Sequence, residues 1–201
     1  MEKPMARKAA LILFAALIAV AAKKPVPVAP GTYEHWGPDI DRIEIVKTFD
    51  HKAYSRLVVA PLDTTGVKET GDADLEKKVD AVLSVATESL IDGIHKEAPA
   101  LTVVEAESSD AADALLLRAK VTVMDPGSRS KRMWIGYGAG AARAAIEGEL
   151  VDAGTGEVLV RFTQERLSGI ERFGKGSSYE EIMKRNLAAL GRDVVRLVNV
   201  F

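Results

Sequence analysis

The sequence predicts an α/β sandwich, with a mixed, largely antiparallel sheet carrying two long helices on one face. Three observations predict it. Apolar residues recur at helical spacing over 74–97 and 178–201 but alternate at strand spacing over 114–124 and 142–167. The last stretch opens on a helix-start signal. A glycine-containing turn at 152–157 joins two alternating runs. Strand, helix, strands, hairpin and helix in that order leave each element one apolar face, which only a layered packing buries.

The elements follow in chain order. Residues 23–40 hold four prolines and two glycines, too few regular backbone donors for a ladder, so an extended linker is expected there. A first strand is expected around Ile43–Val46. Leu57-Val58-Val59-Ala60 before Pro61 reads as a buried strand. From Asp74 to Glu97 the residues Leu75, Val79, Val82, Ala86, Leu90 and Ile94 recur at spacings of three and four, which predicts one amphipathic helix capped by Asp72 or Asp74. Residues 101–105 form a second strand. Residues 114–124 form a third, with Leu117, Ala119, Val121 and Val123 on one side.

Asp152-Ala153-Gly154-Thr155-Gly156-Glu157 has hairpin chemistry: glycine reaches positive φ without a steric cost, and the aspartate bonds back to the turn. It predicts antiparallel strands at 142–152 and 157–167. Ser178-Tyr179-Glu180-Glu181 is a capping box. Behind it Met183, Leu187, Leu190, Val194, Leu197 and Phe201 form a stripe that must be buried.

The N-terminus reads as an export signal. Lys3, Arg7 and Lys8 precede 14 uncharged residues, Ala9 to Ala22, ending in Ala19-Val20-Ala21. A bilayer span takes about 20 apolar residues, so cleavage after Ala21 or Ala22 is the first reading and an uncleaved anchor the second. The division expected is a signal peptide at 1–21, a linker with a first strand at 22–54, and one α/β domain at 55–201. The product is then periplasmic or secreted.

Composition narrows the function. Of 201 residues, 27 are Lys or Arg and 29 Asp or Glu, so the formal charge is -2. A general nucleic-acid binder is normally basic, so no nucleic-acid partner is expected. The chain has no cysteine. That removes disulfides, thiolate chemistry and lipid attachment through cysteine. His35, His51 and His95 lack the spacing of a metal-binding helix, no G-x-S-x-G elbow occurs, and the acids at 72–80 are those that any helix start favours. No metal, cofactor or catalytic residue is assigned, and the chain reads as a non-enzymatic protein; the alternatives are an enzyme, a hydrolase with an unrecognised site, or a small-ligand or nucleotide binder at the glycine-rich segment 136–142.

One segment stands out. Arg129, Lys131 and Arg132 precede Met133-Trp134-Ile135, and Gly136, Gly138 and Gly140 alternate with Tyr137 and Ala139. A dinucleotide fingerprint needs G-x-G-x-x-G between a buried strand and a helix, and this run has neither the spacing nor a helix after it. Gly169 to Lys175 resembles a phosphate loop only superficially, since Gly176 replaces the hydroxyl residue. The candidate interaction surface is therefore Arg129, Arg132, Trp134, Gly136, Tyr137, Gly138 and Gly140. It would be an apolar flap with a basic rim, fit for another envelope protein, a second copy or peripheral contact with a membrane. A solvated loop is the plain alternative. Trp36 is a second candidate anchor.

Gly127-Ser128-Arg129, Arg132, the run Ile135 to Ala141, Asp152 and Thr155-Gly156-Glu157 together resemble a bacterial envelope family, the domain of unknown function forty-four-ten group. Ala112-Asp113-Ala114-Leu115 before a strand also fits. The resemblance implies secreted proteins or lipoproteins whose fold is similar to the N-terminal domains of the TolB and curli-secretion lipoprotein type. It supplies no catalytic residues, and this chain lacks the cysteine of the lipoprotein members.

Overall fold

Seven strands form one open sheet in the order β1-β2-β7-β6-β5-β3-β4. They are β1 (Gly31–Trp36), β2 (Ile40–Ile45), β3 (Arg56–Val59), β4 (Thr102–Glu105), β5 (Ala114–Asp125), β6 (Arg143–Asp152) and β7 (Val158–Leu167). The helices are α1 (Ala73–Leu83), α2 (Ala86–Glu97) and α3 (Tyr179–Val198). The computed structural model describes residues 26–37, 39–67, 73–109, 111–125, 141–168 and 178–201. Pairing is antiparallel from β1 through β5, while β3 runs parallel to both β5 and β4. The mixed sheet with helices on one face is the architecture the sequence predicts, with three α-helices among the described residues in place of two.

The helix expected over 74–97 is broken in two. Ser84 Oγ bonds back to the Ala81 carbonyl, and the Val85 N–H bonds to Val82 rather than Ala81. A serine that competes for backbone groups beside β-branched valines loosens a helix at that point. The apolar stripe nevertheless survives the break, because Val79, Val82, Ala86, Leu90 and Ile94 are all buried.

The expected linker also differs. Gly31–Trp36 joins the sheet as its edge strand, paired with β2. Trp36 is 2% exposed. Its Nε1 donates to the Pro27 carbonyl at 2.6 Å, and its ring stacks on Phe201 with centroids 5.7 Å apart. Prolines precede the strand rather than interrupt it, which an edge strand tolerates. Trp36 is thus core and not an exposed anchor.

In β5 a bulge between Val121 and Val123 shifts the register. It turns Met124 inward, 4% exposed, where simple alternation places Val123. The β6–β7 turn forms as expected: Gly156 has φ +74°, and the Asp152 carboxylate accepts the Thr155 N–H at 2.9 Å. Gly148 in β6 lies across from Phe162, whose ring fills the place of a side chain and leaves no room for a Cβ.

The capping box of α3 is complete, with the Ser178 hydroxyl accepting from the Glu181 N–H and the Glu181 carboxylate from the Ser178 N–H. Met183, Leu187, Leu190, Val194 and Leu197 are fully buried. Helices α2 and α3 approach closely through two glycines. A Cβ on Gly93 would stand 1.9 Å from the Ala188 carbonyl oxygen, and one on Gly191 2.1 Å from that of Leu90. Helix propensity alone predicts that Gly93→Ala stabilises by about 1 kcal/mol. The contact predicts the opposite sign, a loss of about 2–3 kcal/mol as the helices are forced apart. Chemical denaturation of the variant reads the sign directly.

No described helix is long and apolar enough to cross a membrane.

Candidate functional site

The residues singled out in the sequence, Arg129, Arg132, Trp134, Gly136, Tyr137, Gly138 and Gly140, lie outside the described residues. Gly169 to Lys175 do as well, and so does Asp72. What the structure does show is the base from which residues 126–140 depart. The segment follows β5 after Asp125 and precedes Ala141 and β6, and these two strands pair from Leu115 opposite Asp152 to Asp125 opposite Arg143. Arg143 is clamped in turn, its Nε and Nη2 donating to the two Glu165 carboxylate oxygens at 2.6 and 3.0 Å. Ala141 and Ala142 are already buried, and the Ala142 carbonyl accepts the Ser168 N–H. Among the described residues, the element that follows the glycine run is the strand β6.

Two further elements reach the same end of the sheet. Strand β7 finishes at Leu167, and α3 begins at Tyr179. Burial, and then the nearby Asp125 charge, push the Tyr179 hydroxyl well above its ordinary value. The Asn186 carbonyl oxygen accepts from the Ser168 hydroxyl at 3.0 Å.

A polar network that the sequence did not reveal lies between β7, α2, α3 and the β1–β2 turn. Arg166 grips Asp193 with two contacts, Nε to Oδ2 at 2.5 Å and Nη2 to Oδ1. Gln164 donates to the same carboxylate at 3.3 Å. Asp193 is 1% exposed. Burial lifts its carboxyl above the ordinary range, against the pull of the Arg166 guanidinium. Asp39 from the turn touches Arg166 at 3.5 Å and Arg196 at 2.8 Å, and Arg196 Nε reaches Glu97 at 3.0 Å. Asn186 and Asp193 stand seven residues apart, hence on one side of the helix beside the apolar stripe. That spacing was the available signal, but their partners come from 18 and 27 residues upstream.

The face of the sheet away from the helices is a shallow trough lined by Thr32, Arg42, Glu44, Glu147, Glu149, Arg161 and Thr163. Arg161 bridges Glu149 at 2.9 Å and Glu44 at 3.3 Å, and Arg42 faces Glu34 at 3.4 Å. Such exposed cross-strand pairs each contribute about 0–1 kcal/mol. An acid spent on an arginine is a poor proton donor, so the trough offers a charged recognition surface more readily than a general acid.

The three histidines sit on different elements: His35 on β1, His51 in a single 3-10 turn, and His95 in the last turn of α2. Among the described residues no three His, Cys, Asp or Glu side chains are grouped to hold a metal.

Among solved structures, the chain is similar to PelC from Paraburkholderia phytofirmans, described as a dodecamer, at 17% identity over 75% of this chain and 96% of that one, with a TM-score of 0.44. It is similar to protein XCC0632 from Xanthomonas campestris at 12% identity over 71% and 82%, TM-score 0.44. It is also similar to lipoprotein GNA1162 from Neisseria meningitidis at 12% identity over 70% and 98%, TM-score 0.35. At these scores nothing about this chain follows from them. No curated protein matches it in sequence. The family comparison is firmer, since it matches residues 44–169, from within β2 to the end of β7. The chain belongs to the family described as a domain of unknown function, DUF4410.

Proposed function

We propose that this protein is an exported, non-enzymatic module of the cell envelope that binds another envelope protein or a second copy of itself. We place its contact surface on the connection between β5 and β6. One observation carries this reading: the two strands that hold residues 126–140 are the longest antiparallel pair in the sheet, and at the point of departure Arg143 ties β6 to its other neighbour, β7, through Glu165. The paired strands fix where residues 126–140 leave and rejoin the sheet, and aromatic residues such as Trp134 and Tyr137 dominate contacts between proteins. Arg129 and Arg132 would supply the polar rim. The pairing of acids with arginines across the trough and around Asp193 favours recognition over catalysis. Export rests on the basic and apolar pattern of residues 1–22.

The double variant Trp134→Ser/Tyr137→Ser tests the reading. It should keep its melting temperature within about 2 °C, as surface changes do, while losing an oligomer seen by light scattering or a partner recovered by crosslinking. A variant that loses neither removes the flap as the contact surface.

A further inference from the structure

We draw no further inference here: the strongest candidate, the two buried donors on α3 at the Asn186 side-chain amide and the Tyr179 hydroxyl, has no hydrogen-bond partner among the described residues, and nothing in the structure shows what covers it.

Discussion

A chain cut to residues 44–169, the limits of the family match, is expected not to fold. The cut removes α3 and with it Met183, Leu187, Leu190, Val194 and Leu197, all fully buried against the sheet and α2. Burying side chains of this size stabilises by about 1.5–3 kcal/mol each, so the five together contribute on the order of 10 kcal/mol. A domain's whole stability is about 5–15 kcal/mol. The same cut removes β1 and Trp36 from the sheet edge and exposes Val160 and Phe162, which lie in the core beneath the helices. Circular dichroism of the fragment should show no cooperative thermal transition. A fragment that melts cooperatively would mean that the sheet closes its core without α3.

Asp193→Ala is expected to lower stability by about 3 kcal/mol, because it removes the two-pronged carboxylate partner of the part-buried Arg166 guanidinium and leaves it only the longer contact to Asp39. The ion pair itself is a different quantity. Burial outweighs the guanidinium in setting the Asp193 carboxyl, which is raised above its ordinary value of 3.8. The native state therefore holds that proton more tightly than the unfolded chain does. This group's contribution is greatest below the ordinary value and declines as pH rises through the raised one. Replacing both partners, Asp193→Leu with Arg166→Met, should recover most of the loss and remove that part of the pH dependence. Urea denaturation at several pH values separates the cases. If the double variant is as unstable as Asp193→Ala, then Asp39 and Gln164 depend on the ion pair more than the geometry indicates.

How legible these features were depends on how local their cause is. The stripe and capping box of α3 are written within one stretch of chain, and so is the Asp152–Glu157 turn; both appear in the structure as the sequence predicts. Strand β1 is different. The prolines and glycines around it argue for a linker, and what makes it a strand is pairing with β2 and a pocket for Trp36 shared with Phe201, 165 residues on. The break at Ser84 depends on a back-bond that leaves no trace in apolar periodicity. The bulge that turns Met124 inward does not show in simple alternation. The Arg166–Asp193 pair joins a strand to a helix, so sequence spacing alone does not identify it. The candidate surface was legible only as composition, in bases and aromatics beside a glycine run, and the structure adds the rigid strand ends on which it stands.

The most direct measurement is site-specific photo-crosslinking in intact cells, with the photoreactive residue at position 134 in one strain and at position 147, on the charged sheet face, in another. A discrete adduct from position 134, absent from 147 and abolished when Tyr137 is also changed, is the predicted outcome. Adducts from 147 alone, or none from 134 in cells that carry the folded protein, would contradict recognition through the β5–β6 connection.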